Sequence, residues 1–486
     1  MLGVPAPDQQ ETAMLPVQSA ALSRRPRQMD RPTGRPVSSP RGSKGAAGVA
    51  TLVLMAVVAV VALMVAAAVA NRNADDDLPQ VQLGRDPASL DPAAAATQRS
   101  LLDFWNDQFP AVYGRRFEQL RGGFQAKTPQ SPPFTCAGKR QTYEDLKGNA
   151  FYCGGPDDDY IAYDAVQLFP QLNKEFGGIA PAVVLAHEMG HAIQRRAEVE
   201  APSVVTELQA DCFAGSWLRY AEKTADDPVD LSVGALDTSI STILVLRDQP
   251  GTPATNPQAH GLGFDRVNAF QTGYEGGARE CATFPQGRAV TTELPFRTVA
   301  EARTAGNLPF SEAVRVLSES LDAYWTAAVP QVAPGKTFDR PERKLVDRRP
   351  EANCVVGTGS GYCSDDNAVV LVMPELLQAH RRIGDLATGA ALSEAWGLAV
   401  QFQAGVTSAG REPGLQRDCF TGAWLSALAG NGLEGASLSP GDVDEVLASI
   451  VVGSTSPAGS RSDRGGAFER TAAMRRGLFQ GLRACS

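Results

Sequence analysis

Positive charge is scarce in most of this chain of 486 residues. The formal net charge is −9, and residues 1–45 hold seven Arg or Lys against three acids, a balance of +4, so the remaining residues carry −13. Because nucleic-acid binding needs a clustered positive field, this deficit excludes nucleic acid as a partner. Hydrophobic residues make up 43% and charged residues 20%, which fits two or three globular domains and excludes a wholly disordered or many-pass membrane protein.

Long apolar runs are missing except at one place. Residues 46–70 contain no charged side chain, and about twenty apolar residues suffice to span a bilayer as a helix. Basic residues precede this run and three aspartates follow it at 75–77, so the positive-inside rule predicts a single-pass cell-membrane protein with a cytoplasmic N-terminus and an extracytoplasmic main body. A cleaved signal peptide ending at residues 68–70 is the alternative, and it also places the main body outside.

The residues that flank this run lack features of a folded domain. Residues 1–45 show no apolar periodicity, which predicts a disordered basic tail. We interpret residues 71–97 as a linker.

CxxC pairs are absent, although the chain contains eight cysteines. All eight lie after the predicted span, so disulfides fit better than a thiolate metal site. The cysteines are Cys136, Cys153, Cys212, Cys281, Cys354, Cys363, Cys419 and Cys485.

An internal repeat divides the chain after residue 97. The segment LAHEMGHAIQ at 185–194 aligns with LSEAWGLAVQ at 392–401, and the same offset of 207 aligns LQADCFAGSWL at 208–218 with LQRDCFTGAWL at 415–425. Similarity in register over such a distance predicts two homologous domains in tandem, at 98–285 and 312–486, with a linker at 286–311. The simplest symmetric disulfides are then Cys136 with Cys153, Cys212 with Cys281, Cys354 with Cys363 and Cys419 with Cys485, although other pairings within a copy remain open.

Histidine is rarest of all, with four in the chain, and two of them form an HExxH motif. The pattern predicts a helix over 181–197 that carries His187, Glu188 and His191. Histidines four residues apart share one face of a helix, so both rings can bind one zinc ion while Glu188 points toward the zinc-bound water.

A catalytic zinc needs a third protein ligand. Sixteen residues beyond His191, Glu207 and Asp211 again stand one helical turn apart between apolar neighbours. We assign Glu207 as the third ligand and Asp211 as the acceptor for the far nitrogen of a ligating histidine. A solvated helix face is the alternative interpretation.

These motifs resemble a bacterial family, the putative neutral zinc metallopeptidases, which are gluzincin-like. The resemblance covers about Trp105 to Cys281 and rests on AHEMGHAIQ at 186–194, TELQADCFAG at 206–215, NAFYC at 149–153 and the block at 260–277. It implies a zincin-type fold of the α+β class, mainly helical. It also implies one Zn²⁺ per chain on His187, His191 and Glu207, Glu188 as general base, and a peptide or protein substrate.

The remaining site predictions are less direct. A tetrahedral intermediate needs a second donor besides zinc, for which His260 is the first candidate and Tyr274 the second. The alternation at 157–164 predicts an edge strand that pairs with the substrate along Tyr160–Asp164. The aspartates at 157–159 fit a solvated turn or a calcium loop, and His380 fits a surface histidine.

The second copy lacks the chemistry of the first. The site positions change from His187 to Glu394, Glu188 to Ala395, His191 to Leu398 and Glu207 to Gly414. We therefore predict a membrane-anchored zinc endopeptidase followed by a metal-free copy, which either regulates the first or is a tolerated duplicate. The alternative is a non-catalytic cell-envelope binding or assembly protein built from two such domains. The sequence does not indicate an oligomeric state.

Overall fold

The computed structural model describes residues 92–485 apart from 225–226, 230, 232–233, 254, 257–258, 293, 351–353, 357–358, 407–409 and 455–463. The predicted tail at 1–45, the predicted span at 46–70 and most of the predicted linker at 71–97 lie outside these residues. We call residues 92–286 the N-terminal half and residues 310–485 the C-terminal half.

The predicted location at the cell membrane needs correction. Among the described residues, no helix is both long enough and apolar enough to cross a bilayer. The helix Phe310–Val332 has the necessary 23 residues, but it carries charges at Glu312, Arg315, Glu319 and Asp322. This finding overturns the prediction of a membrane-anchored protein with an extracytoplasmic main body.

The N-terminal half is mainly helical. Its helices are α1 (Pro92–Tyr113), α2 (Tyr143–Leu146), α3 (Leu168–Phe176), α4 (Ile179–Arg196), α5 (Ser203–Lys223), α6 (Ala235–Val245) and α7 (Gly263–Cys281), followed by a 3₁₀ turn at Phe284–Gln286. Its strands are β1 (Phe124–Lys127), β2 (Phe134–Cys136), β3 (Lys139–Gln141), β4 (Ala150–Gly154) and β5 (Asp159–Asp164). Gly177 ends α3 with a φ of 101°, a conformation that glycine adopts without strain, so that α4 begins two residues later.

The sheet of this half has three strands in the order β1–β5–β4, with β5 parallel to β1 and antiparallel to β4. The predicted strand at 157–164 is therefore present as β5, but it is the central strand and not an edge. Strands β2 and β3 form a separate hairpin.

The C-terminal half contains a similar succession of elements. After the short helix α8 (Val299–Arg303) come α9 (Phe310–Val332), β6 (Glu342–Val346), β7 (Cys354–Val356), β8 (Ser360–Cys363), β9 (Ala368–Val372), α10 (Met373–Arg382), α11 (Asp385–Ala404), α12 (Arg411–Asn431), α13 (Asp442–Ser454), α14 (Ala467–Gln480) and a 3₁₀ turn at Leu482–Cys485. Its sheet has the order β6–β9–β8–β7, again with one parallel pair, β6 with β9. The α+β, mainly helical fold class is confirmed.

The large hydrophobic core includes residues of both halves, and in each half two of its long helices touch through glycine. A Cβ atom on Gly215 of α5 would lie 1.9 Å from the carbonyl oxygen of Phe270 on α7, so only glycine permits this approach. Gly422 of α12 meets Met474 of α14 at the same distance. Buried tryptophans pack beside these pairs, with Trp105 against Phe213 and Trp325 against Phe420, each at 5.0 Å between ring centroids.

Four disulfides link the elements. They join Cys136 to Cys153, Cys212 to Cys281, Cys354 to Cys363 and Cys419 to Cys485, and no described cysteine is free. These are the pairs of the symmetric arrangement that the repeat predicted. The Cys212 and Cys419 bonds tie α5 to α7 and α12 to the C-terminal 3₁₀ turn.

Candidate metal centre

Two histidines of α4 converge because they stand one helical turn apart on the same face. Their Nε2 atoms lie 3.2 Å from each other, and the two rings are nearly perpendicular. The His187 residue is 6% exposed, whereas the His191 side chain is 22% exposed. The pair is thus open to solvent on the His191 side only.

Helix α5 supplies a carboxylate to the same point. Glu207 places one oxygen 3.2 Å from Nε2 of His187 and the other 3.4 Å from Nε2 of His191. A tetrahedral zinc site with ligand distances of about 2.0–2.1 Å has ligand-to-ligand separations of roughly 3.3 Å. The three donor groups therefore have the spacing of zinc ligands.

One buried oxygen at this point has no hydrogen bond. Oε2 of Glu207 is buried and has no hydrogen-bond partner, although Nε2 of His187 lies 3.2 Å from it. A buried acceptor without a partner is costly, and a cation held between the two atoms would remove that cost. The residues that the structure describes therefore fit the metal that the HExxH motif implies.

Asp211 orients His187 from behind. Its carboxylate lies 2.8 Å from Nδ1 of His187, and Arg266 of α7 binds both of its oxygens at 2.7 and 2.9 Å. Burial would raise the pKa of Asp211, but the Arg266 guanidinium and His187 lower it. The ionised carboxylate fixes the tautomer of His187 with Nε2 facing the proposed metal.

Gln194 does the same for His191. Its side-chain oxygen lies 2.9 Å from Nδ1 of His191, and its amide nitrogen donates to the carbonyl of Thr206, the residue before Glu207. This amide therefore connects the two ligand-bearing helices, α4 and α5.

The charges at the site depend on one another. Burial would lower the pKa of His187, but the carboxylates of Asp211 and Glu207 raise it to about 10. Burial would raise the pKa of Glu207, but His187 and His191 hold it well below its usual range. Without a metal, a proton on His187 balances these carboxylates, so a metal must displace that proton to bind.

Glu188 stands beside the donors and not among them. It is 8% exposed, its Oε2 accepts the backbone N–H of Tyr152 on β4 at 2.8 Å, and its Oε1 makes no hydrogen bond with the described protein. Burial raises the pKa of Glu188, which makes it a stronger base than an exposed glutamate.

His260 lies on a loop next to the first turns of α5. A Cβ on the adjacent Gly261 would lie 3.3 Å from Leu208, and Ser203 donates to the carbonyl of Ala259. The His260 side chain is 55% exposed, and its Nδ1 lies 3.4 Å from Asp248. The hydrogen bond with Asp248 raises the pKa of His260, so the ring can carry a proton.

The structure contradicts the prediction for Tyr274. Its hydroxyl donates to Glu222 and accepts from Arg219 at the far end of α5. Glu222 lies fifteen residues beyond Glu207, which at 1.5 Å per residue is about 22 Å along the helix. Tyr274 therefore cannot donate to a reacting group at the metal centre.

The acidic segment at 157–159 forms contacts within the protein. Asp159 pairs with Arg196 at 3.0 Å, and Asp158 accepts the backbone N–H of Ala137. These contacts argue against the calcium loop. His380, predicted as a surface histidine, is half-buried, with its ring 5.3 Å from that of Phe310.

Four partners of the site were not indicated by the sequence motifs: Arg266, Gln194, Tyr152 and Asp248. Gln194 and Arg266 both lie in the repeated blocks, at positions where the second copy has Gln401 and Arg470. Their retention was the available signal, although retention alone does not distinguish a site partner from a packing residue.

Comparison with known proteins gives one family. The family profile described as "Putative neutral zinc metallopeptidase" matches residues 20–284. An uncharacterized protein of Mycobacterium tuberculosis is 32% identical over 159 residues, which are 28% of this chain and 54% of the relative. The uncharacterized protein YpfJ of Escherichia coli is 27% identical over 216 residues, 37% of this chain and 67% of YpfJ. The chain thus spans about half the length of the mycobacterial relative. No solved structure matches it.

Proposed function

Because this chain belongs to the putative neutral zinc metallopeptidase family, we propose that it is a zinc-dependent endopeptidase whose site is formed by α4 and α5. The observation that carries this proposal is the convergence of His187, His191 and Glu207 at 3.2 to 3.4 Å, beside a buried Glu188 that is not one of them. A structural zinc site is normally closed by four protein ligands, whereas three leave one position open.

The chain supplies the ligands and the base. His187, His191 and Glu207 would hold the zinc, while Asp211 and Gln194 keep the two imidazoles in the ligating tautomer. Bound zinc lowers the pKa of a coordinated water and polarises the substrate carbonyl. Glu188 then accepts the proton of the attacking water and passes it to the leaving amine, so that peptide and water become an acid and an amine.

His260 is the proposed donor to the negative oxygen that forms during attack. Asp248 holds its Nδ1, which leaves Nε2 available to the substrate. A protonated ring suits this role because it donates a charge-assisted hydrogen bond.

The substrate groove predicted along Tyr160–Asp164 must be placed on another strand. Strand β5 pairs on both sides, so it cannot accept a peptide, whereas β4 pairs only with β5 among the described strands. The outer side of β4 faces the site, since the N–H of Tyr152 donates to Glu188. We place the substrate backbone along β4, as an added strand.

The tandem duplication is also a proposal, with a metal-free copy in the C-terminal half. Recurring contacts support it: Gln209 donates to the carbonyl of Cys281 at 3.0 Å, and Gln416 donates to that of Cys485 at 3.0 Å. The bidentate pair of Asp211 and Arg266 recurs as Asp418 and Arg470.

The test is Glu188→Gln, which keeps the size of the side chain and removes the base. We expect one zinc per chain in both proteins, and proteolysis of a peptide library only in the wild type, followed by mass spectrometry. Glu200→Gln, at an exposed glutamate just beyond α4, is the matched control and keeps both properties. A zinc-loaded wild type that cleaves nothing, or a Glu188→Gln variant that loses its fold, would favour the non-catalytic binding protein instead.

A further inference from the structure

The C-terminal half caps a helix of the metal centre. Asp444, in the first turn of α13, accepts the backbone N–H groups of Gly263 and Phe264 at 2.8 and 2.7 Å. These are the first two residues of α7, whose free N–H groups need an acceptor. The carboxylate also pairs with Arg247 at 3.4 Å, and the residue is 4% exposed.

Helix α7 carries Arg266 less than one turn after this cap. Arg266 is 1% exposed, and its guanidinium holds both oxygens of Asp211 and donates to the carbonyl of Leu246, the neighbour of Arg247. Asp211 in turn holds Nδ1 of His187. Asp444 therefore fixes both supports of Arg266, namely the start of α7 and the turn at 246–247.

The N-terminal half makes a corresponding cap in return. Asp237 of α6, 207 positions before Asp444, accepts the N–H of Phe468 at the start of α14 at 2.9 Å. Phe264 packs on Phe479 and Phe468 packs on Tyr274, with centroid distances of 5.5 and 4.8 Å. The two halves thus meet in a self-complementary arrangement like that of a twofold dimer.

The two caps differ in the contacts of the helix that each aspartate caps. Helix α14, which Asp237 caps, carries Arg470, and Arg470 binds Asp418 at 2.8 and 2.9 Å. Asp418 contacts Arg464 and not a histidine. A disturbance of Asp237 therefore reaches no proposed metal ligand, whereas a disturbance of Asp444 reaches His187 through Arg266 and Asp211.

We propose that Asp444 is a positioning residue of the metal centre, through which the C-terminal half holds α7, Arg266 and Asp211 in the register that orients His187. This inference rests on the proposed zinc site and gives the metal-free half a defined task. Asp444 contacts neither substrate nor metal, so its effect is on the geometry of the ligand set and not on the reacting groups.

The experiment compares Asp444→Asn with Asp237→Asn in the full chain. Both variants remove a negative charge that accepts the first N–H groups of a helix across the same interface, so we expect both to lower the melting temperature of the zinc-free protein. Only Asp444→Asn should weaken zinc binding, about tenfold by the usual size of outer-layer effects, in competition with a chromogenic chelator. The visible spectrum of the Co²⁺-substituted protein should change in the same variant alone.

A third variant separates capping from folding defects. Asp444→Glu keeps the carboxylate that accepts both N–H groups but displaces it by one methylene, so it should weaken zinc binding less than Asp444→Asn, and it serves as the test if Asp444→Asn does not fold. Equal zinc affinities in the Asp444→Asn and Asp237→Asn proteins would overturn the positioning role while the zinc site stands. A wild-type protein that binds no zinc would instead refute the proposed function itself.

Discussion

The proposed metal centre and the corresponding place in the C-terminal half both contain a buried carboxylate. The groups that surround this carboxylate differ between the two halves. In the N-terminal half, the carboxylate of Glu207 converges with two imidazoles at a spacing that suits zinc. In the C-terminal half, Glu394 stands 207 residues after His187 and binds Arg417 and Arg464, each at 2.7 Å. A buried carboxylate requires a positive partner, and here guanidinium groups provide it.

The second arrangement depends on one small residue. Gly414 stands where the N-terminal half has Glu207, and a Cβ there would lie 2.9 Å from Cβ of Arg464. The glycine at 414 thus makes room for the side chain of Arg464. The comparison teaches that arginine side chains occupy the place in the C-terminal half that corresponds to the proposed metal centre.

The scaffolds behind the two places are nearly the same. Trp217 donates to Ser100 at 2.9 Å, and Trp424 donates to Ser320 at 3.2 Å. The pair of Asp418 and Arg470 persists without any histidine to orient, so an aspartate–arginine pair of this kind is first an element of the fold. In the N-terminal half, the aspartate of the pair also contacts His187, a proposed zinc ligand.

The sheets differ at the edge that matters for substrate. Strand β4 has an outer edge without a partner strand among the described residues, whereas the equivalent edge of β8 is covered by β7. The disulfide between Cys354 and Cys363 joins β7 directly to β8. In the C-terminal half, therefore, β8 has no free edge at which a peptide strand could be added.

The largest expected effect comes from giving the N-terminal half the glycine of its counterpart. Glu207→Gly should weaken zinc binding by more than the 10–100-fold typical of outer-layer partners, because it removes a ligand. Proteolysis should become undetectable. Both are measured on the purified chain, by chelator competition and with the peptide library.

The matched control carries the same change at the exposed end of the same helix. Glu222→Gly also introduces a glycine into α5, at a helix-propensity cost of about 1 kcal/mol or less, and should keep its zinc. Tight zinc binding in Glu207→Gly would mean that another side chain completes the coordination, and the assignment of Glu207 would fail.

The converse change tests the charge cluster of the C-terminal half. Glu394→Ala leaves the guanidinium of the buried Arg417 without its carboxylate partner, so we expect the free energy of unfolding to fall by about 3–5 kcal/mol. Zinc content should not change. Urea unfolding measures the first quantity and metal analysis the second.

An exposed glutamate provides the reference for that experiment. Glu412→Ala on α12 should change stability by no more than about 0.5 kcal/mol. If Glu394→Ala instead costs no stability but removes zinc, the C-terminal place is part of the metal centre and the division between the halves is wrong.

Sequence spacing was sufficient to propose the parts of this site that lie within one helix. His187, Glu188 and His191 could be placed from a spacing of four residues, and the helix that holds them was expected at 181–197 and begins at Ile179. Glu207 and Asp211 followed from a second helical spacing. In these cases a single helix fixes the relative direction of the side chains, and the sequence suffices.

Contacts between distant segments could not be predicted in this way. Arg266 lies 55 residues from Asp211, and the strand that neighbours β5 on its second side begins at Phe124. The alternation at 157–164 predicts a strand but contains no information on whether that strand is central. Tyr274 was misplaced because eight residues of helix carry it about 12 Å beyond Arg266.

The smallest expected effect concerns the two strand edges. In the inactive Glu188→Gln protein, a bound peptide should slow hydrogen exchange at the amides of β4 that share the side of Tyr152, including Gly154. The reason is that an added strand accepts or donates hydrogen bonds at every second residue. Amides of β8 should show no change, because β7 already occupies that edge. Exchange mass spectrometry on peptic fragments covering β4 and β8 makes the measurement. Protection of the β2–β3 hairpin with none at β4 would move the groove away from the edge proposed for it, and equal protection of β4 and β8 would contradict the difference between the halves.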